Sequence, residues 1–298
     1  MTGVIPIVKD VVLVGGGHTH ALLLRSWGMA PVPGARLTVI NPAPSAPYTG
    51  MLPGFVAGHY GRDELEIDLV RLARFAGARI IFGMVDALDK DAKTHSVEGR
   101  PPIPYDIASI DIGITSNMPE IPGFAEHAIA AKPLGPFAAR WDAFRAGGGP
   151  VVVIGGGVAG VELAMAMTHA LGQKGSVTII EAKTALQGLS APTRTRLLGE
   201  LHAQTLDDGR SLDAALTVGA AGARPIAWLA EIGLEMSDGY LSVDAQLRSV
   251  SDPSIYAVGD CAHLSHAPRP KAGVYAVRAA PVLTHNIRAD LTGRPRKR

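Results

Sequence analysis

Residues 151 to 164 read Val-Val-Val-Ile-Gly-Gly-Gly-Val-Ala-Gly-Val-Glu-Leu-Ala. Four β-branched apolar residues without a polar break fit a strand buried on both faces, and three glycines end it in a tight turn. The apolar run beyond them fits the start of a packed helix, and a second strand, Val177-Thr-Ile-Ile-Glu181, closes the unit. The chain repeats this arrangement. Residues 11 to 24, Val-Val-Leu-Val-Gly-Gly-Gly-His-Thr-His-Ala-Leu-Leu-Leu, match it at two valines, three glycines and one leucine, and lead on to Leu37-Thr-Val-Ile-Asn41. Asn41 and Glu181 each lie 26 positions after the first glycine of their turn, 15 to 41 and 155 to 181. Two βαβ units of one length predict an α/β protein with two Rossmann-like three-layer domains.

The spacing of the glycines carries chemistry. In such a unit the first glycine permits the strand-to-helix turn, the second lets backbone approach a pyrophosphate, and the third lets helix and strand pack closely. The helix N-terminus then presents N–H groups and a positive dipole end to the phosphates. Gly155, Gly157, Val158, Ala159 and Gly160 fit the whole pattern, and Glu181 stands where a carboxylate accepts from ribose hydroxyls. The first unit departs from it twice, with His20 at the third glycine and Asn41 at the carboxylate position. As a spaced copy it still makes Gly15, Gly16, Gly17, His18, Thr19 and Asn41 candidates for a second dinucleotide. Two dinucleotide sites imply one held and one visiting ligand, and a held flavin beside a diffusible nicotinamide forms a hydride-transfer pair. FAD is therefore expected at the first site and NADH at the second.

Composition narrows the alternatives. The 298 residues carry 28 Lys+Arg against 27 Asp+Glu, a net charge of +1, which gives no field for nucleic acid or an anionic membrane. A single cysteine, Cys261, excludes an intramolecular disulfide, a Cys-rich zinc module and a Cys-x-x-Cys pair, and fits a reducing, cytoplasmic setting. No targeting segment is visible, and the Ala146 to Val161 stretch is too short and too broken by glycine to span a bilayer. The basic tail Arg294, Arg296, Lys297, Arg298 reads as a solvated end, or at most a peripheral membrane contact. The pairs His18/His20 and His263/His266 lack the Cys, Asp or Glu that would complete a zinc set, so no metal is expected. Cys261 reads as a small buried residue.

A third motif makes the comparison specific. Ser254-Ile-Tyr-Ala-Val-Gly259-Asp260-Cys261-Ala262 is a strand running into Gly-Asp, preceded in order by the turn at 15 to 20, Ser109-Ile-Asp-Ile-Gly113, the turn at 155 to 160, and Leu216-Thr-Val-Gly-Ala-Ala-Gly222. Over roughly residues 10 to 290 this resembles the pyridine nucleotide-disulfide oxidoreductase superfamily. The turn at 15 to 20, Pro47-Tyr-Thr-Gly-Met-Leu-Pro-Gly54 and Pro270-Lys-Ala-Gly-Val-Tyr-Ala-Val-Arg278 are most similar to its type II NADH dehydrogenase-like branch, especially the oxidoreductase half fused to selenide, water dikinase. The resemblance implies an NAD domain inserted in an FAD domain, with FAD on residues 1–115 and 227–298 and NADH on 116–226. It implies that Asp260, after Gly259, accepts from the flavin ribityl chain, and that Gly113 and Gly222 belong to cofactor-facing loops. Thr49, Gly50, Met51 and Leu52 would lie near the isoalloxazine ring, Ala272 and Gly273 would open a helix aimed at its pyrimidine carbonyl, and Glu162 would stand beside the nicotinamide. Thr49 and Glu162 are the candidate catalytic residues.

The activity so implied is transfer of hydride from NADH to flavin and of electrons onward to a quinone-like acceptor. A homodimer is the expected association. A sulfide:quinone reductase-like enzyme is disfavoured by the single cysteine, and a non-catalytic flavin or nucleotide sensor is the reading from another class. Only 67 residues separate Gly155 from Gly222, fewer than the resemblance calls for. The expectation is that a strand and a β-meander are missing, that a helix from Pro192 to Ala203 runs straight into a Gln204 to Gly209 hairpin, and that Val151 to Ile154 or Val177 to Ile180 lies near a sheet edge.

Overall fold

The computed structural model describes residues 6–187, 189–199, 202–204 and 212–298. The chain divides into two compact units, the first made of Met1–Ala46, Glu66–Ile114 and Pro225–Arg298, the second of Pro47–Leu65 and Thr115–Arg224. Each is an α/β layer structure built on a five-stranded parallel sheet, and the second is inserted in the first.

In the first unit the sheet order is Ile255–Ala257, Ile107–Ile110, Lys9–Val14, Ala35–Asn41, Arg79–Phe82. Both faces of its central strand are covered. Val11 and Leu13 pack with Leu23, Leu24 and Trp27 of the helix His18–Met29 and with Leu283 and Ile287 of the helix Gly273–Thr292. Val12 and Val14 pack on the other side with Leu88, Val97 and Ile103 of an antiparallel sheet, Val85–Asp89, Thr94–Val97 and Ile103–Pro104. A strand covered on both faces has no place for alternating polar residues, which is why it reads as an unbroken apolar run.

The second unit repeats the first sheet's plan: Ala128–Ala130, Leu216–Gly219, Val151–Ile154, Val177–Ile180, His202–Gln204. In both sheets the strand that precedes the glycine turn is central. This corrects the expected loss of a strand. His202–Gln204 pairs in parallel with Thr178–Ile180, so Val177–Ile180 is flanked on both sides, as is Val151–Ile154. The helix is also shorter than expected, Ala191–Gly199, because the chain turns into that strand. Among the described residues the second unit has no antiparallel meander, and residues 205–209 of the expected hairpin lie outside the described residues.

Residues Pro47–Leu65 group with the second unit, although the expected boundary placed everything up to 115 with the first. The reason is apolar burial: Phe55, Val56 and Leu65 are fully buried in the core that also holds Trp141, Val151 and Val161. The indole N–H of Trp141 donates to the Val56 carbonyl at 3.1 Å. No helix among the described residues is long and apolar enough to cross a membrane. The basic tail is exposed but held, since Arg296 pairs with Asp290 and the Lys297 N–H donates to Asn286 Oδ1 at 2.7 Å.

Candidate dinucleotide sites

The first unit's turn begins at Gly15, whose φ of +88° suits glycine and whose N–H donates to the Ile40 carbonyl at 2.8 Å. Asn41 latches the next residue. Its Oδ1 accepts the Gly16 N–H at 2.9 Å, and its Nδ2 donates to the Ala43 carbonyl at 2.8 Å. Gly17 is the N-cap of the helix His18–Met29 and brings no side chain to its first-turn donors. Asp111 serves instead, from the end of the 107–110 strand. Its Oδ2 accepts the His20 N–H at 3.1 Å, the Thr19 N–H also bonds it, and its backbone carbonyl accepts the Gly17 N–H at 3.2 Å. Thr19 is fully buried and its hydroxyl donates to the Ala276 carbonyl at 2.8 Å, tying the two helix starts together.

His20, where the pattern has a glycine, turns the departure into a bond. Its Nδ1 lies 2.7 Å from the Gly15 carbonyl oxygen and its Nε2 2.8 Å from Ser109 Oγ. A carbonyl only accepts, so Nδ1 carries the hydrogen and the Ser109 hydroxyl donates to Nε2. Burial pushes the ring down to about 4, and it stays neutral.

The Gly-Asp turn lies in the same unit. Gly259 has φ +68°, and Asp260 is half-buried. Burial pushes the Asp111 carboxyl up to about 6, with the His20 and Thr19 N–H groups and His18 opposing and Asp260 adding to the rise. Cys261 is wholly buried, its thiol donates to the Val258 carbonyl at 3.2 Å, and burial pushes it up to about 12. Lys271 Nζ donates to the Ala262 carbonyl at 2.6 Å and sits 3.8 Å from the Tyr240 ring centroid. Ala272 caps the helix that opens at Gly273, as expected from the sequence. Gly113, at φ +73°, is half-buried with open space where a side chain would stand.

The second unit builds its turn on the same plan. The Gly155 N–H donates to the Ile180 carbonyl at 2.8 Å, and the Gly156 N–H donates to Glu181 Oε2 at 2.7 Å. Glu181 Oε1 accepts the Lys183 N–H at 3.1 Å. Here the third glycine is a packing requirement, because a Cβ on Gly160 would fall 1.9 Å from the Gly155 carbonyl oxygen. That is the carbonyl whose counterpart in the first unit bonds the His20 ring. Gly157, Val158, Ala159 and Glu162 are all exposed at the open start of the helix Val158–Leu171. Gly222, at φ +68°, accepts the Asn117 N–H at 2.9 Å, and a Cβ on it would meet Asn117 Oδ1. Thr49 and Gly50 form a short 3-10 turn with Met51, and Met51 and Leu52 pack on the second unit's core.

Sequence reasoning missed Asp111 and Ser109 as parts of the first site. Both lie in the quoted stretch Ser109-Ile-Asp-Ile-Gly113, and a carboxylate within that apolar run was the available signal. Among the described residues no three His, Cys, Asp or Glu side chains cluster as a metal set would.

The pyridine nucleotide-disulphide oxidoreductase family matches residues 9–204 and 190–280. A nitric oxide reductase FlRd-NAD(+) reductase of Klebsiella pneumoniae is 32% identical over 210 residues, 61% of this chain and 52% of that protein. A rubredoxin-NAD(+) reductase of Pseudomonas putida is 36% identical over 138 residues, 38% of this chain and 34% of its own. The match thus spans about half or less of these relatives. An NADH dehydrogenase-like protein of Bacillus subtilis is 22% identical over 88% of this chain and 79% of its own length. Among solved structures, an NAD-dependent persulfide reductase from A. fulgidus superposes with a TM-score of 0.80 at 23% identity, over 93% of this chain and 58% of that one. At that identity the likeness speaks for the fold.

Proposed function

Because the chain belongs to the pyridine nucleotide-disulphide oxidoreductase family, we propose that it is an FAD-dependent oxidoreductase that takes electrons from NADH and passes them to a quinone-like acceptor. The observation that carries this reading is the pair of latched turns, Asn41 on Gly16 and Glu181 on Gly156, each ahead of a helix start. The residues fit the two groups. In the first unit Gly113 has open space where a side chain would stand and Asp260 offers a half-buried carboxylate to hydroxyls, and in the second unit Gly157, the N-cap of its helix, has open space too. FAD, when bound, supplies a ring that accepts two electrons as hydride and releases them to a second partner.

This chain's residues would do the rest by holding and orienting. Gly15, Gly16, Gly17, His18 and Asn41 would seat the pyrophosphate and adenosine of FAD, and Gly113, Gly259 and Asp260 its ribityl end. The helix start at Ala272 and Gly273 places a positive dipole end in that unit, which favours negative charge on an anionic ring. In the second unit Gly155, Gly157, Val158, Ala159 and Gly160 would seat NADH, with Gly222 on the adjoining loop. Glu181 would repel a 2′-phosphate and so favour NADH over NADPH. Thr49, Gly50, Met51, Leu52 and Glu162 are proposed to face the reacting rings. The likeness over most of the chain to a protein named NADH dehydrogenase-like supports NADH as the donor.

The test is anaerobic mixing of the purified protein with NADH. Bleaching of the flavin band within seconds, followed by its return on adding a quinone, supports the proposal. Persistence of the band would favour a sensor, and return only with a rubredoxin or ferredoxin would replace the quinone by a protein acceptor.

A further inference from the structure

We propose that His59 and His169 together hold one divalent transition-metal ion, of the zinc or copper kind that imidazole takes, on the surface of the second unit. Both residues belong to that unit, and their rings lie 5.5 Å apart between centroids at an interplanar angle of 44°. Both are exposed, and neither ring has a hydrogen bond among the described residues. No protein group there competes with an ion for the ring nitrogens.

The backbone fixes that spacing at both ends. His169 stands in the last turn of the helix Val158–Leu171. His59 follows the helix Leu52–Val56, at a turn where Gly58 has φ +87° and the His59 N–H donates to the Gly54 carbonyl at 2.9 Å. The two helices pack against each other, with Phe55 and Val56 of one and Ala164 and Met167 of the other in a common core. Exposed side chains rotate rapidly, so the separation of the rings is what the fold has to supply. A tetrahedral ion that holds one nitrogen of each ring at about 2.0 to 2.1 Å sets the ring centres about 5.3 Å apart, once the roughly 1.2 Å from nitrogen to ring centre is added. The observed 5.5 Å meets that requirement.

The surroundings suit a cation. His169 lies where the helix carbonyls present the negative end of the dipole. Arg145 Nη1 would stand 4.0 Å from a Cβ on Gly58, and its charge is offset by Asp142, whose Oδ1 is 3.0 Å from Arg145 Nη2. No third His, Cys, Asp or Glu completes a set among the described residues, so water takes the remaining positions and the ion exchanges. His169 lies eleven residues after Val158, about 16 Å along the helix, which separates this site from the second glycine turn. An ion here clips the Pro47–Leu65 segment to that helix.

The experiment is calorimetric titration of the whole, tag-free protein with ZnCl2 in a non-chelating buffer, repeated on His59→Ala and His169→Ala. Each variant should lose one binding event per chain that the wild-type protein shows. Removing a direct ligand should weaken that event by at least the about 10- to 100-fold that loss of an outer-shell partner costs. The Cu2+-loaded wild-type protein should show two imidazole nitrogens by electron paramagnetic resonance, and each variant one. Zn2+ should raise the thermal midpoint of the wild-type protein and leave that of the variants unchanged. Absence of the event, or an event kept at full strength in either variant, reduces the pair to an aromatic contact and overturns the inference. Should a variant fail to fold, the nitrogen count in the wild-type protein decides, and a count of none or one rejects the site.

Discussion

Glu181 Oε2 accepts the Gly156 N–H at 2.7 Å, the same latch that Asn41 Oδ1 makes on Gly16 at 2.9 Å, at the same separation of 25 residues. The two acceptors differ in charge. A carboxylate at 181 disfavours a 2′-phosphate, whereas a carboxamide at 41 imposes no such penalty.

Glu181→Gln should therefore keep the turn and lose the discrimination. Flavin reduction by NADPH should rise towards the NADH rate in this variant, measured with equal donor concentrations by stopped flow. Faster NADPH than NADH oxidation by the wild-type protein would contradict the assignment.

Asp260→Ala should release most of the flavin. Loss of a hydrogen-bonded carboxylate from a partly buried site costs about 1.5 to 3 kcal/mol, or roughly 10- to 150-fold in affinity. Flavin content after purification, read from the absorbance ratio, checks this.

Acid should destabilise the flavin-free protein through histidines. His20 and His95 are both pushed down to about 4 by burial, so the stability they contribute is present above about 6.5 and is lost as pH falls towards 4. Asp111 acts in the opposite sense, because its raised pKa contributes stability that is present below about 4 and lost as pH rises through about 6. Between pH 5 and 6 the unfolded chain thus binds two protons more at the histidines and one fewer at Asp111. Stability should rise by about 1.4 kcal/mol per pH unit in that window. His95→Leu removes a buried ring stacked on Tyr105 with neither nitrogen bonded among the described residues, and should flatten the slope to near zero. Urea midpoints against pH give both slopes.

Cys261 should behave as an inert thiol. It is buried and un-ionised at neutral pH, so iodoacetamide should label it only after denaturation, and Cys261→Ser should leave NADH-driven quinone reduction nearly unchanged. Rapid labelling of the folded protein, or loss of turnover in the variant, would show a working thiol.

What was legible in the chain was what repeats. The strand, glycine turn and helix at 11 to 24 and 151 to 164 carry short-range signals, and the equal spacing singled out Asn41 and Glu181, though as ribose-facing residues and not as the acceptors of the Gly16 and Gly156 N–H groups that the structure shows. His20 looked like a departure from the pattern because its compensation, Ser109, lies 89 residues away. Asp111 was hidden for the same reason, its bond to His20 crossing 91 residues. The strand His202–Gln204 has three residues and no apolar alternation, so nothing local marked it. Pro47–Leu65 contains buried apolar residues, but a sequence does not say which core receives them.

The first latched turn and the Gly259-Asp260 turn are proposed to hold FAD, and heating the purified protein and taking the spectrum and mass of what it releases is the direct test. A flavin spectrum with the mass of FAD, near one per chain, is the predicted result. A colourless protein that releases no flavin and takes up none from added FAD would contradict it.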